Sequence, residues 1–195
     1  MSVKVWQKKQ NDEWLGLLRS GDHQAFAEFI DKYKEMVFLC CRTLGLQDVE
    51  AEDVASETFL AAYKGLRRYG GRAQLSTWLW AIAYRQAVGY LRKNRRHQQL
   101  KAEPEKLITG SKEKEPAATI QSEETGKIAW QAVEQLPRLW KMAIILYYRE
   151  GKSIADIANI MRTRKNTIKT YLFRGREMLK QILAAAFGED IDVGE

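Results

Sequence analysis

Apolar positions recur at helical spacing along most of this chain. Between residues 12 and 44, Phe26, Phe29, Ile30, Tyr33, Val37, Cys40, Cys41 and Leu44 follow one another in steps of one, three or four. That spacing predicts one long amphipathic helix with a single buried stripe, and Gly45 marks its end. A second helix is predicted from about Val49 to Tyr69. It carries Val54, Ala55, Thr58, Phe59, Ala62, Tyr63 and Leu66 on its apolar side and Glu50, Asp53 and Glu57 on the other. The pair Gly70-Gly71 breaks it. A third helix is predicted from about Thr77 to Arg95, aromatic at its start (Trp78, Trp80, Tyr84) and basic at its end.

The pattern then fails. Residues 98–123 contain Pro104, Gly110 and Pro116, with mixed charge and sparse, aperiodic apolar positions. This stretch reads as a flexible linker, which as a coil would span about 25–30 Å. Helical spacing returns at about Glu124. Leu136-Pro137 ends one helix and starts the next. Gly151 stops that one, and Ser153 to Asp156 has the spacing of a capping box, with Asp in place of Glu. Ile154, Ile157, Ala158, Ile160 and Met161 line a short helix, Arg162 to Arg164 form a tight turn, and a basic helix runs on to Leu183. Short helix, tight turn and basic helix make a helix-turn-helix. The predicted fold is all-α: an N-terminal helical domain over 1–97, a flexible linker over 98–123 and a C-terminal helix-turn-helix domain over 124–195.

Charge sharpens this picture. The formal net charge is +7 on 195 residues, a balance that favours a polyanionic partner. Arg85, Arg92, Lys93, Arg95 and Arg96 share one stretch without an acid, and seven Lys or Arg fall between Arg162 and Lys180 against the single acid Glu177. The second helix of the motif has Ile168 and Leu172 inward. Lys165, Lys169, Thr170, Phe173, Arg174 and Arg176 are left to face the major groove, where Lys and Arg reach guanine acceptors or phosphates. The plain alternative is a solvated basic helix in an α-bundle.

Other classes fit poorly. The N-terminus lacks an apolar signal core, and no run has the roughly 18 apolar residues of a membrane span, so a cytoplasmic protein without direct membrane insertion is expected. The two histidines, His23 and His97, lie far apart, and no nucleotide-binding glycine motif occurs. No catalytic centre, metal site, cofactor or small-molecule substrate is expected. The adjacent Cys40 and Cys41 could sense a metal or an oxidant with His23. They also lie on the apolar stripe, where free cysteine packs as a small hydrophobe.

Three segments resemble the extracytoplasmic-function (ECF) sigma factors of bacterial RNA polymerase. AEDVASETF, from Ala51, is similar to that family's AEDLVQETF, with Ser56 in place of Gln. YGGRAQLSTWLWAIAYRQAVGYLRKNRR, from Tyr69, is similar to its F-x-G-R-a-S-x-x-T-W-L-x-x-I-A-x-N-x-x-x-D-x-x-R, with Arg85 for Asn and Gly89 for Asp. RKNTIKTYLFRGR, from Arg164, is similar to its S-x-G-T-V-K-S-R-L-x-R-A-R. The turn before it has Arg162 and Thr163 where Gly and an aliphatic residue are usual. That would leave Arg162 left-handed and make Thr163 the helix cap.

The resemblance implies a sigma factor that binds core RNA polymerase and directs promoter-specific initiation by reading −10 and −35 elements, commonly under the control of an anti-sigma factor. Glu52, Asp53, Ser56, Glu57 and Phe59 would dock on the clamp helices of the largest polymerase subunit. Arg72, Trp80, Tyr84, Arg85, Arg92, Lys93, Arg95 and Arg96 would hold the melted −10 strand, by stacking on bases and by pairing with phosphates. For stacking, Trp78 is assigned to the core, and Trp80 and Tyr84 are the better candidates if they point outward. Arg164, Lys165, Asn166, Thr167, Lys169, Thr170, Phe173 and Arg174 would read the −35 duplex. The rival reading is a stand-alone helix-turn-helix transcriptional regulator, which would bind duplex DNA tightly without polymerase.

Overall fold

The computed structural model describes residues 13–101 and 129–187. These are helical throughout, with no strand among them, and the chain divides into two compact units. The N-terminal unit is built on α1 (residues 13–20), α2 (His23–Thr43), α3 (Asp48–Leu66) and α4 (Leu75–Lys101), the last of which belongs to it as far as Leu91. The C-terminal unit contains α5 (residues 129–134), α6 (Arg138–Ile144), a π-helical turn (Ile145–Arg149), α7 (Ile154–Ile160) and α8 (Lys165–Phe187). Residues 102–123 of the expected linker lie outside the described residues, and Gln98 to Lys101 continue α4 as helix.

The single helix expected over residues 12–44 is two helices. Gly21, at φ +84°, ends α1, and the Asp22 carboxylate accepts from the Ala25 N–H at 2.8 Å to cap α2. A short polar side chain at this position satisfies a helix-start donor and makes a restart favourable. The predicted apolar stripe of α2 holds: Phe29, Val37, Cys40 and Cys41 are completely buried. Phe29 is the hub. Its ring lies 6.3 Å from Trp14 of α1, 5.7 Å from Phe26, 5.0 Å from Tyr33 and 6.1 Å from Phe59 of α3. At α3, Glu50 accepts from the Gln47 N–H at 2.9 Å and fixes the helix start. On α4 the buried stripe is Leu79, Trp80, Ala83, Tyr84 and Ala87.

The C-terminal core is aliphatic, with Met142, Ala143, Leu146, Ile157, Ile160 and Ile168 all at 0% exposure. Gly175 lets α8 approach α6, since a Cβ there would sit 3.0 Å from Ile144. The buried Lys141 is paired with Glu134 at 2.9 Å, so its charge is not stranded. The N-cap half of the predicted capping box forms, and the Asp156 carboxylate turns to the Ser153 hydroxyl. Ser153 Oγ accepts from the Asp156 N–H at 3.1 Å and donates to the Asp156 carboxylate at 2.7 Å.

Three helix ends share one hydrogen-bond pattern. After α1, Asp22 N–H donates to Leu17 O and Gly21 N–H to Leu18 O. After α2, Leu46 donates to Cys41 and Gly45 to Arg42. After α7, Thr163 donates to Ala158 and Arg162 to Asn159. Each is a Schellman closure, which needs a left-handed residue at its second-to-last position. Glycine fills that place in the first two. Arg162, at φ 50°, fills it in the helix-turn-helix, as the departure in the sequence implied. Thr163 does not cap α8. The helix starts at Lys165, with Arg164 before it accepting from Thr167 and Ile168 through its carbonyl.

Arg162→Gly is therefore expected to stabilise the C-terminal unit by about 1 kcal/mol, the cost of a left-handed side chain. Urea unfolding of the full chain followed by tyrosine and tryptophan fluorescence measures it. An unchanged midpoint would mean that the arginine recovers the strain through a contact of its own.

Candidate polymerase and nucleic-acid interface

The acidic face of α3 follows from the helix's phase. With Val54, Ala55, Thr58 and Phe59 turned inward, Glu52, Asp53, Ser56 and Glu57 are exposed. Phe59 is not exposed as a docking residue would be; at 8% it packs against Phe29. It does form part of the wall of an apolar groove of about 740 Å³ between α2 and α3, together with Phe26, Ile30, Phe38, Leu60 and Tyr63. Glu52 and Ser56 line the same groove. One surface thus joins carboxylates to apolar grooves and rings, which suits a partner helix with basic and aliphatic positions.

At the other proposed DNA surface the structure corrects the sequence reading. Trp80 is completely buried and Tyr84 is 9% exposed, so neither can stack on an unpaired base. Both sit on the stripe set by Leu79, Ala83 and Ala87. The run WLWAIAY is apolar on every side, and its spacing alone does not pick the inward face. Trp78, assigned from the sequence to the core, is half-buried instead. It lines a surface pocket of about 450 Å³ with Ala61, Gly65, Arg68, Ile82, Arg85 and Gln86. Gly65 makes room for it, since a Cβ there would lie 3.0 Å from the indole. Arg85 is exposed, with its Nε donating to the Ala81 carbonyl at 3.0 Å. Arg72, Arg92 and Lys93 are exposed as well, while the side chains of Arg95 and Arg96 lie outside the described residues. Arg68, Trp78 and Gln86 were missed by the sequence reading. Their signal is the spacing of Trp78, Ile82, Arg85 and Gln86 along one helix face.

In the helix-turn-helix, α8 buries Ile168, Leu172 and Gly175 and exposes Lys165, Asn166, Lys169, Thr170, Phe173 and Arg174. Arg164 is exposed in the turn and Thr167 is half-buried. Phe173 is 63% exposed, an unusual position for a large apolar ring unless something covers it. The exposed Thr170 hydroxyl donates to the Asn166 carbonyl at 3.0 Å. The Arg174 guanidinium lies over the Trp140 ring, 5.9 Å from its centre. The Arg176 Nε donates to the Tyr148 hydroxyl at 2.8 Å, and its guanidinium stacks near Tyr147 and Tyr148. Two arginines of the basic helix are thus held on aromatic rings, which limits their rotamer freedom without neutralising them.

Among the described residues no group of three metal-ligating side chains occurs, and no helix is long and apolar enough to cross a membrane. Cys40 and Cys41 are completely buried. His23 begins the same helix and lies about 25 Å along it from Cys40, too far to share a metal. Burial pushes both thiols up, Cys41 from 9.0 to about 11.

Residues 29–97 match Sigma-70 region 2, and residues 127–179 match Sigma-70, region 4. These two regions in this order, on all-α units, define a sigma factor. The chain is 33% identical over 174 residues to the ECF RNA polymerase sigma factor SigW of Bacillus subtilis (strain 168), covering 85% of this chain and 92% of that one. It is 32% identical over 170 residues to the ECF RNA polymerase sigma-E factor of Escherichia coli (strain K12), covering 83% and 88%. Among solved structures, that of the sigma factor RpoE in complex with the anti-sigma factor NepR from Bartonella quintana has a TM-score of 0.60 at 21% identity, covering 81% of this chain and 96% of that one. CnrH, solved with the cytosolic domain of CnrY, has a TM-score of 0.58 at 19% identity, covering 88% and 96%. The chain belongs to the ECF group of RNA polymerase sigma factors.

Two expectations follow from the burial pattern. Trp80→Ala should destabilise the N-terminal unit by about 3–5 kcal/mol, as expected for removing a buried aromatic, and Trp78→Ala by clearly less. Equal losses in thermal unfolding would return Trp78 to the core. The thiols of the folded protein should resist iodoacetamide at pH 8 and react only on unfolding. The folded state holds the Cys41 proton more tightly than the unfolded chain does. This contribution to stability is therefore complete below pH 9 and is lost as the pH rises toward 11.

Proposed function

We propose that this sigma factor docks on core RNA polymerase through the acidic face of α3 and the adjoining α2–α3 groove. It then melts and holds the −10 element with α4 and the loop before it, and reads the −35 element as duplex with α8. The observation that carries this reading is the separation of charge by surface. Glu52, Asp53 and Glu57 form one exposed acidic face, while Lys165, Lys169 and Arg174 form an exposed basic one on a recognition helix. A protein docks on a basic partner helix with the first and on DNA with the second. A stand-alone regulator has no use for the acidic surface.

Within the −10 surface, the Trp78 pocket takes the place assigned from the sequence to Trp80 and Tyr84. An indole edge flanked by Arg68 and Arg85 offers a stacking surface and phosphate partners together. The N-terminal domain is drawn to the end of α4 at Lys101 and the C-terminal domain over 124–195, with the segment between them carried by polymerase between the two promoter elements. The work is done in the cytoplasm, where polymerase is, and requires no catalytic residue. RpoE and CnrH, in the structures above, are bound by NepR and by the cytosolic domain of CnrY. An anti-sigma factor that covers the same acidic and apolar surface of α3 would keep this chain from polymerase by simple competition.

Run-off transcription with purified core polymerase on fragments of the host genome tests the reading. New discrete transcripts that depend on the protein are expected. Specific retention of duplex fragments by the protein alone, without transcripts, would establish the stand-alone regulator instead. Asp53→Lys with Glu57→Lys should abolish core binding while leaving circular dichroism unchanged, and undiminished core affinity would refute the docking surface. Arg174→Ala should weaken initiation by about 1–3 kcal/mol in a −35-dependent way if it reads a base. A uniform loss on every promoter would mark it as a phosphate contact.

A further inference from the structure

The loop between α3 and α4 is fastened at one residue. Of residues 67–72 only Tyr69 is buried, and Gly70, Gly71 and Arg72 at the tip are exposed. Four contacts converge on Tyr69. Arg19, near the end of α1, donates from Nη2 to the Tyr69 carbonyl at 2.8 Å, across 50 residues of sequence. The same guanidinium lies over the Tyr69 ring at 5.9 Å. The Tyr69 hydroxyl donates to the carbonyl of Ala73, closing the loop across its glycines. The Tyr69 ring also meets Trp78, with centroids 5.2 Å apart. Trp78 in turn lines the Arg68–Arg85 pocket.

We propose that Arg19 and the Tyr69 hydroxyl are positioning residues that hold the Gly70–Gln74 loop and the Trp78 indole in the shape that receives an unpaired promoter base. Helix α1 then belongs to the promoter-opening machinery as well as to the core. This rests on the sigma-factor reading. The physical reason is entropy. Two adjacent glycines have the largest backbone freedom of any residue pair, and a loop that must be ordered at the moment of binding loses that freedom as affinity. A latch on both sides of the glycines removes the freedom beforehand. The hydroxyl is a particular feature of this chain, because the family pattern it resembles has Phe at this position. Burial raises the Tyr69 hydroxyl above its usual value, although the Arg19 cation pulls the other way, so it stays a donor at neutral pH.

The test uses holoenzyme assembled from the full chain. The probe is a promoter fragment mapped by run-off transcription, with its non-template strand left unpaired across the −10 element. Tyr69→Phe and Arg19→Gln should each bind this probe about five- to tenfold more weakly, the size of one net hydrogen bond. Arg19→Lys, which can still donate to the carbonyl, should recover part of the loss. The double variant should lose less than the product of the two, because both changes release the same loop. Core affinity and retention of the intact −35 duplex should not change. Unchanged probe affinity in both single variants overturns the proposal. So does a loss of core affinity in step with the melting temperature, which would make the latch a part of the fold alone. If the parent protein directs no transcript, the sigma-factor reading falls and this one with it, an outcome seen before any variant is made.

Discussion

The burial of Phe29 fixes most of what the N-terminal unit can present. Its ring has no exposed surface, and Trp14, Phe26, Tyr33 and Phe59 surround it. Three helices therefore meet on one side chain. Because Phe59 must face it, α3 has only one rotation, and that rotation sends Glu52, Asp53, Ser56 and Glu57 outward. Because Trp14 must reach it, α1 lies where Arg19, further along the same short helix, meets the Tyr69 carbonyl. Aromatic pairs contribute about 0.5–1.5 kcal/mol each beyond their buried area. A cluster of this kind holds the rotation of its helices firmly, whereas an exposed ion pair would not. The acidic face of α3 and the placement of the loop before α4 are thus consequences of packing, and their polar residues are placed by apolar ones.

The C-terminal unit shows a different balance. Its core would tolerate a glycine at the helix-turn-helix closure, as the ends of α1 and α2 do. It has Arg162 there, next to Arg164 and Lys165, all three exposed. Three cations at one turn repel one another and the first is in a strained backbone conformation, so the arrangement weakens the fold. It raises the positive potential at the mouth of the recognition helix, where a duplex phosphate would approach. On the proposed function, strain kept at this surface turn serves the phosphates that the turn meets. The aromatic seats of Arg174 on Trp140 and Arg176 on Tyr148 fit the same account. They limit side-chain freedom and leave the charge available.

Much of this was legible in the sequence, and the misses have definite causes. The α2 stripe, the stop at Gly45 and the Ser153–Asp156 box could be read because each depends on residues within one turn of helix. The restart at Asp22 was hidden because the stripe that defined the helix begins only at Phe26, although Gly21-Asp22 is a stop followed by a cap. The inward turn of Trp80 and Tyr84 was misread because their segment is apolar on all sides, so that phase was set only by contacts with other helices. The π-turn at Ile145–Arg149 leaves no mark in a pattern already rich in buried residues, yet it brings Tyr148 to the surface for Arg176. The Arg19–Tyr69 latch joins residues 50 apart, and no local spacing carries such a pair.

The two DNA surfaces also explain why a protein with net charge +7 need not bind DNA indiscriminately. On the proposed function each surface is small: one recognition helix and one loop with its pocket. A phosphate-dominated contact of that size is weak and salt-sensitive alone, and binding by free chain would be mostly non-specific. Joined by a segment as long as the one between the two units, and without polymerase, the two surfaces would raise each other's local concentration only modestly. Specificity for a promoter needs one spacing to be favoured. On the proposed function the acidic face of α3 supplies the means, because docking there would hold both surfaces in the fixed geometry of polymerase. The same face disfavours approach of that side of the N-terminal unit to DNA, through like-charge repulsion. On the proposed function the chain's separation of acid from base therefore acts twice, attracting polymerase and keeping the domain's basic side as the one that meets the promoter.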